Sequence, residues 1–541
     1  MSALACKPFL MASSTASASR SATARLTSIS RHLQTSSNML ANGTSGGDNQ
    51  ATTATATFAT GEMMGDISYE TNNYARIYTL TRMKAHNALN HEMIKSLKSK
   101  MKTWRESDKC KVIIGMGSAK AFCSGGDVKQ LVIDIKKGRS TSMPFFKDEF
   151  ELNWLMARLG KPYVVIMDGI TMGGGAGIAL PAPIRIATPR THFAMPETKI
   201  GYSPDVGVSY YLAQLDGYIG AWLAVTGQDI FGRAVYELGL ATHFVDPDTF
   251  SDILLQITQL ENPSTSQISA IIASYTPPPP PAHSPPSSRD TPDGPCSITG
   301  EIREFLDKTY SQESIADIYK AVTKAGESES LTDGVKAWAE AQKEMMDMRS
   351  PTGMAVALEG FKRARKAHRL DETLQNDMSM ATAFSGPNPA TQDFITGVTQ
   401  VLIEKQKTRA AWSPPSIDDA SLSPKTIGSL FFNRQSPQPS ARPELDFWPA
   451  STSRVTTPND STWGRFRRHG LPSEAEVEAA VNGSSPGSGA FKITEVELIE
   501  RLLSSRGDLA GSRKEEVEDL VRRSVRRLCN VKDGYLDWKR D

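Results

Sequence analysis

The stretch that decides the fold lies between residues 121 and 207, in three pieces: AFCSGGD (121–127), GITMGGGAG (169–177) and FAMPETKIGYSPDVG (193–207). The first two pieces place glycine backbone N–H groups next to apolar runs, where the backbone can approach a ligand closely. The third piece supplies two carboxylates, Glu197 and Asp205. Paired N–H donors and a carboxylate are the minimum set for acyl chemistry, because the donors hold an oxyanion while the carboxylate moves a proton or attacks.

Short strands alternate with helices around these pieces. The β-rich alternation of residues 74–81 predicts a strand, and apolar residues at helical spacing predict a helix over residues 87–104 with Asn90 as its N-cap. Buried strands are predicted at residues 111–116 and 163–167, and each leads into one of the glycine motifs. This alternation indicates an α/β protein built from repeated β-β-α units.

Composition excludes several classes of function. The 541 residues carry a net charge of +1, so no global field favours DNA or an anionic membrane. Apolar runs of about 18 residues are missing, so we expect no transmembrane helix. Five cysteines are scattered without a CxxC pair, which argues against a zinc site or a disulfide framework and suits a reducing compartment.

The chain divides into three predicted parts. Residues 1–60 form a transit peptide and linker, because residues 1–47 contain no Asp or Glu and are rich in Ser, Thr and spaced basic residues, which is typical of mitochondrial or plastid targeting. A disordered tail with a chance charge bias is the alternative. Residues 61–433 form the globular domain, and residues 434–541 form a low-complexity extension.

Two segments outside the core motifs carry their own expectations. Prolines cluster over residues 276–300, which predicts a disordered or polyproline-like surface insertion. Capping boxes at residues 494–497 and 512–515 predict two short helices that end the extension. Two such helices bury little by themselves, so they either dock on the main domain or bind a partner.

Residues 80–246 resemble the crotonase (enoyl-CoA hydratase/isomerase) superfamily, and within it the 3-hydroxyisobutyryl-CoA hydrolase family. The resemblance rests on KAFCSGGDVK, FFKDEFELN, GKPYVVIMDGITMGGGAGIAL, FAMPETKIGYSPDVGVSYYL and GLATHFVD, and weaker similarity extends it to about residues 68–432. It implies a crotonase-like fold with a C-terminal helical region and disordered termini. It also implies a thioester hydrolase of mitochondrial valine catabolism, which agrees with the transit-like N-terminus and a location in the matrix.

The resemblance implies a role for each site residue. Gly126 and Gly174 match the oxyanion hole, Glu197 and Asp205 match the catalytic carboxylates, and Glu149 matches a further substrate-binding group; Gly174, Glu197 and Asp205 also contact the substrate. Whether Glu197 attacks the thioester or activates water stays open. Asp205 either orients the substrate hydroxyl or assists proton transfer to the thiolate. CoA is part of the substrate, so neither a separate cofactor nor a metal is implied.

Other functions remain alternatives. Enoyl-CoA hydratases use two glutamates, and the first falls at Gly177 in this chain, which disfavours hydration. Members of the hydrolase family also occur as components of the mitochondrial small ribosomal subunit, and the long extension fits an anchoring role there. Homo-oligomerisation also stays open.

Overall fold

The structure is a computed structural model, and it describes residues 60–118, 120–281, 283–435, 442–449, 469–485, 488, 492–506 and 513–539. The predicted transit peptide therefore lies outside the described residues, except for Thr60. The strands are β1 (Thr60–Met64), β2 (Ile67–Asn72), β3 (Ala75–Leu80), β4 (Val112–Gly117), β5 (Ala121–Cys123), β6 (Tyr163–Ile166), β7 (Ile170–Met172), β8 (Ile184–Ala187), β9 (His192–Ala194), β10 (Ile230–Phe231), β11 (His243–Phe244), β12 (Cys529–Lys532) and β13 (Tyr535–Trp538).

Helices fill the space between and after these strands. They are α1 (His91–Glu106), α2 (Val128–Lys136), α3 (Ser142–Ala157), α4 (Gly174–Ala179), α5 (Val208–Leu212), α6 (Ile219–Thr226), α7 (Gly232–Glu237), α8 (Phe250–Thr258), α9 (Thr265–Ala273), α10 (Gly300–Tyr310), α11 (Ile315–Ala325), α12 (Asp333–Met348), α13 (Pro351–Ala367), α14 (Leu370–Ser385), α15 (Asp393–Gly397), α16 (Pro424–Ile427), α17 (Glu474–Val481), α18 (Glu495–Ser504) and α19 (Lys514–Leu528). Single 3-10 turns lie at Met83–Ala85, Pro196–Ile200, Pro247–Thr249 and Ala420–Leu422, and π turns lie at Val398–Ile403 and Gly428–Phe432.

Two sheets position the site. The larger has the order β1-β2-β3-β4-β6-β8-β11 and is parallel from β3 onward, and the smaller has the order β10-β9-β7-β5. In three successive units the first strand enters the larger sheet and the second enters the smaller one: β4 and β5, β6 and β7, and β8 and β9. The predicted α/β class with β-β-α repeats is therefore confirmed.

The parallel part of the larger sheet, from β3 to β11, is buried on both faces. Ile114 faces one core, which α8 and α9 close with Phe250, Ile253 and Ile268. Its neighbour Ile113 faces the main core, because successive side chains of a strand point to opposite faces. Burial on both faces explains why the parallel strands read as continuous apolar runs rather than as alternating patterns.

The proline-rich insertion is a packed loop, so the expectation of disorder is wrong for its described residues. The backbone N–H of Arg233, in the first turn of α7, donates to the carbonyl of Pro292 at 2.8 Å. The N–H of Cys296 donates to the carboxylate of Glu237 at 3.0 Å. A proline has no backbone N–H, but its carbonyl can still accept a hydrogen bond. Carbonyls of this loop can therefore accept from the N–H groups in the first turn of α7, which have no acceptor inside the helix.

The C-terminal extension contains more structure than the two predicted helices. It has α17, α18, α19 and an antiparallel β12–β13 hairpin, which share one hydrophobic core. The capping box at Thr494 is confirmed, since its side chain accepts from the N–H of Glu497. The second predicted box depends on Ser512, which lies outside the described residues; α19 begins after Arg513, which makes no side-chain cap bond.

Buried polar contacts fasten the extension to the main domain. Arg233 of α7 pairs with Glu516 of α19 at 2.7 Å, and both side chains are more than nine-tenths buried. The hydroxyl of Tyr236 donates to the other oxygen of Glu516 at 2.8 Å. Arg513 donates to the carbonyl of Thr242 at 2.9 Å. Of the two alternatives for the terminal helices, the structure shows docking on the main domain.

Membrane and metal-binding features were also expected to be absent. Within the described ranges, no helix is both long and apolar enough to cross a bilayer. In the same residues, no group of three or more His, Cys, Asp or Glu side chains is placed to hold a metal ion.

Candidate active site

The three sequence motifs meet where β5, β7 and β9 end. β5 leads into the loop that contains Gly126, β7 leads into Gly174 at the start of α4, and β9 leads into the 3-10 turn that contains Glu197. β7 lies between the other two strands and pairs with both in parallel. Because parallel strands deliver their carboxyl ends to the same edge, the sheet brings these three residues together.

Gly126 and Gly174 present neighbouring backbone N–H groups. Gly174 is the first residue of α4, where an N–H has no acceptor inside the helix. A Cβ on Gly174 would lie 3.2 Å from the nitrogen of Gly126 and 2.3 Å from Oε1 of Glu149, so a side chain has no room there. The loop is held by the N–H of Leu89, which donates to the carbonyl of Gly125 at 2.8 Å. The structure therefore places side by side the two glycines that the resemblance assigns to an oxyanion hole.

Glu149 projects from α3 into the same place. Its side chain is 2% exposed, although a helix carboxylate would ordinarily face solvent. Its Oε1 lies beside both glycines, 3.8 Å from the Cβ position of Gly126. The structure therefore places Glu149 with the other candidate site residues.

Charged contacts on its outer side anchor α3. Asp148 accepts hydrogen bonds from Lys98 and His91, each at 2.8 Å. Glu151 accepts one from the backbone N–H of Asp446, in the extension, at 2.7 Å. These contacts fix the helix and with it the side chains that face the site.

Glu197 and Asp205 converge on the same buried region, with side chains 7% and 5% exposed. Oε1 of Glu197 lies 2.9 Å from the Cβ that Gly173 lacks. Val206 follows Asp205 with φ 53°, a left-handed conformation that is strained for a β-branched residue. Such strain persists only where the surroundings enforce it, and it is common beside reactive groups.

Burial and mutual repulsion shift the carboxyl groups toward their protonated forms. Burial, with the charge of Asp205 as a second cause, raises the pKa of Glu197 to about 8. Burial raises the pKa of Asp205 to about 7. Burial, followed by the charges of Asp205 and Glu197, raises the pKa of Glu149 well above its ordinary value. Two of these carboxyls therefore titrate near neutral pH, where general acids and bases work best.

Two further polar residues of the site escaped the sequence analysis. Asp377 of α14 is buried and accepts a hydrogen bond from the N–H of Gly207 at 2.7 Å. Asn153 of α3 is 1% exposed, and neither its Oδ1 nor its Nδ2 has a partner among the residues that the structure describes. The four-residue spacing from Glu149 could have indicated Asn153, because such residues share a helix face. Asp377 had no such signal, because it comes from a distant helix.

The space beside Gly177 is occupied. A Cβ at this glycine would lie 2.6 Å from Cβ of Val206 and 2.9 Å from Nδ2 of Asn153. A glutamate there would therefore displace the turn that carries Asp205. The nearby Cys123 is buried, which raises the pKa of its thiol to about 12 and makes it a poor nucleophile at neutral pH.

Known proteins share this fold and sequence. The family model for enoyl-CoA hydratase/isomerase matches residues 75–431. A Rattus norvegicus protein named 3-hydroxyisobutyryl-CoA hydrolase, mitochondrial, is 34% identical over 355 residues, which cover 65% of this chain and 86% of that protein. A Neurospora crassa protein named small ribosomal subunit protein mS47 is 32% identical over 492 residues, which cover 89% of each. The crystal structure of a carnitinyl-CoA dehydratase from Mycobacterium thermoresistibile matches with a TM-score of 0.58 at 27% identity, over 71% of this chain and 99% of that one.

These matches agree with the geometry. The family model spans strands β3 to β11 and the four residues Gly126, Gly174, Glu197 and Asp205. The resemblance that the motif strings suggested is thereby confirmed. The chain belongs to the enoyl-CoA hydratase/isomerase family, the crotonase family.

Proposed function

We propose that the protein hydrolyses the thioester of 3-hydroxyisobutyryl-CoA, or of a close 3-hydroxyacyl-CoA, to the free acid and CoA. The observation that carries this proposal is a cluster of buried carboxyl groups at the paired glycines: Glu197 lies beside Gly173, and Glu149 lies beside Gly174. Asp205 is buried close enough for its charge to act on both carboxyls. A side chain at Gly177, the position of a hydratase's other glutamate, would meet Val206. The names of the hydrolase relatives support the same reaction.

The chemistry follows from these groups. The thioester oxygen would accept from Gly126 and Gly174, and each donor would stabilise the tetrahedral oxyanion by about 3–4 kcal/mol. Glu197 either attacks the carbonyl carbon, which gives an acyl–Glu197 anhydride that water then hydrolyses, or removes a proton from a water that attacks the same carbon. Asp205 delivers a proton to the sulfur as the carbon–sulfur bond breaks. Both routes consume one water and release the acid and CoA.

Hydration of an enoyl-CoA is the competing reaction, and one pair of assays separates the two. Full-length protein is mixed with 3-hydroxyisobutyryl-CoA and thiol release is followed, while loss of crotonyl-CoA absorbance is measured in parallel. We expect thiol release without hydration. Hydration without thiol release would overturn the proposal. Glu197→Gln should lose turnover by orders of magnitude, whereas the matched exposed variant Glu92→Gln should keep it.

A second role rests on a separate observation. The match to the protein named mS47 covers 89% of this chain, against 65% for the hydrolase from Rattus norvegicus, so it reaches into the segments that flank residues 61–433. We propose that the extension attaches the protein to a mitochondrial small ribosomal subunit. The two roles are compatible, because the extension docks through α19 while the site lies at the ends of β5, β7 and β9.

Co-sedimentation with the small subunit tests this second role. The full-length chain should sediment with the subunit, and a chain that lacks residues 434–541 should not. The truncated chain is a valid control only if it still releases thiol, which shows that its site is folded. Sedimentation apart from the subunit by the full-length chain would refute the ribosomal role.

Both roles imply the mitochondrial matrix, and the hydrolase role implies a step of valine catabolism. The support is the acid-free N-terminal segment and the word mitochondrial in the relative's name. Import into isolated mitochondria, followed by protease treatment of intact and of osmotically opened organelles, measures the location. If the protease digests the imported chain in intact organelles, or when only the outer membrane has been opened, the protein is not in the matrix.

A further inference from the structure

Asn153 is a buried amide without a protein partner. Its side chain is 1% exposed, and within the described part of the chain neither Oδ1 nor Nδ2 makes a hydrogen bond. An amide removed from water without a partner is costly, so buried amides are nearly always bonded to protein, water or ligand. A ligand group is therefore a natural partner for this one.

The position of Asn153 relates it to the oxyanion hole. Glu149 and Asn153 are four residues apart on α3, and Gly174 and Gly177 are three residues apart on α4, so each pair shares one helix face. Oε1 of Glu149 lies 2.3 Å from the Cβ position of Gly174, and Nδ2 of Asn153 lies 2.9 Å from that of Gly177. Along the axis of α4, the amide of Asn153 therefore lies three residues beyond the point at which the thioester oxygen would bind.

This offset matches the dimensions of a 3-hydroxyacyl group. Three residues of helix rise about 4.5 Å. Covalent bond lengths place an oxygen on the third carbon roughly 4–5 Å from the thioester oxygen when the group is extended. Val206, whose Cβ lies 2.6 Å from the Cβ position of Gly177, supplies an apolar wall beside the amide that suits a short carbon branch.

We propose that Asn153 hydrogen-bonds the 3-hydroxyl of the acyl group and thereby selects 3-hydroxyacyl-CoA over acyl-CoA without the hydroxyl. This inference rests on the proposed hydrolase function. If Asn153 binds the substrate hydroxyl, Asp205 keeps the other of its two expected roles, the transfer of a proton to the thiolate. A buried amide that can both donate and accept suits a hydroxyl, which also does both. Without the hydroxyl the amide would stay unpaired, and that is how a polar pocket rejects such an analogue.

The test compares two substrates that differ by one oxygen. We would measure kcat/KM for 3-hydroxyisobutyryl-CoA and for isobutyryl-CoA with full-length wild type and Asn153→Leu, which keeps the branched arrangement of four heavy atoms and removes the polar ones. The variant should lose about 10- to 100-fold on the hydroxylated substrate, the loss of one or two hydrogen bonds. On isobutyryl-CoA it should lose no activity and should gain some, because the variant leaves no amide unpaired beside that substrate.

The isobutyryl-CoA rate also reports folding. If Asn153→Leu does not fold, Asn153→Ser is used instead, because its hydroxyl should keep part of the selectivity while Asn153→Ala loses it. Equal losses on both substrates would show a structural role, and unchanged selectivity would show an amide bonded only to buried water; either result overturns the inference. A wild type that hydrolyses neither substrate would instead reject the hydrolase function itself.

Discussion

Glu197→Gln should stabilise the protein while it abolishes turnover, and the gain should grow with pH. The side chain is buried, and its pKa is raised from an ordinary 4.5 to about 8, chiefly by burial. Between these two values the folded protein holds a proton that the unfolded chain has released. Stability therefore falls as pH rises through this window, and a glutamine, which never ionises, avoids the loss.

The magnitude follows from the shift. At about 1.36 kcal/mol per pKa unit, the raised pKa of Glu197 costs roughly 1.4 kcal/mol of folding free energy near pH 5.5 and roughly 4–5 kcal/mol near pH 8.5. Any cost of burying the amide of glutamine is the same at both pH values. The advantage of the variant should therefore be about 3 kcal/mol larger at the higher pH.

Urea unfolding of wild type and variant at the two pH values measures this difference. Glu92→Gln removes a carboxylate from an exposed helix position and should show no comparable change with pH. If the gain from Glu197→Gln is the same at both pH values, the carboxyl is not held protonated by burial. The reasoning about the site's electrostatics would then be refuted.

Three further outcomes follow from the same contacts. The kcat/KM for thiol release, measured from about pH 6 to 9, should pass through a maximum between about pH 7 and 8. Glu197 must be unprotonated to attack or to accept a proton, which favours higher pH, and Asp205 must be protonated to deliver a proton, which favours lower pH. Gly177→Glu should not hydrate crotonyl-CoA. Its free energy of unfolding, measured with urea, should be about 1–3 kcal/mol lower than that of wild type, since its Cβ would meet Cβ of Val206 at 2.6 Å. Glu516→Gln should lower the free energy of unfolding by about 3–5 kcal/mol, because it leaves Arg233 buried without a counter-charge. Limited proteolysis of the extension should become faster in this variant.

Much of the main domain could be predicted from the sequence, because its patterns are local. Asn90 caps α1 as expected, with its side chain accepting from the N–H of Met93 at 2.8 Å. The hairpin β12–β13 was missed although Asp533–Gly534 carries its signal: both residues have positive φ, as an Asp-Gly hairpin turn requires. The packing of the proline-rich insertion depends on Arg233, which is distant in sequence and gives no local sign.

The residues of the candidate site also divide into those that local motifs predict and those that depend on distant parts of the chain. Gly126, Gly174, Glu197 and Asp205 follow strands in recognisable motifs, so their convergence could be predicted; their catalytic roles stay predictions. The protonation of the carboxyl groups could not be predicted from the sequence, because it arises from burial, and the elements that bury these groups lie outside the motifs. Asp377 shows the limit most clearly, since it holds the backbone beside Asp205 from a helix 170 residues further along the chain.

The extension and the site meet at α3, and this contact decides how their roles can be separated. Phe447 packs on Trp154 with ring centroids 4.8 Å apart, and the indole donates to the carbonyl of Pro449 at 3.0 Å. Trp154 follows Asn153 directly, so a truncation at residue 434 removes support from the helix that presents the site's polar groups. Loss of turnover in a truncated chain would thus not show that the extension takes part in catalysis. Single substitutions such as Glu516→Gln loosen α19 and leave these contacts to α3 in place, and they are the sharper way to separate attachment from hydrolysis.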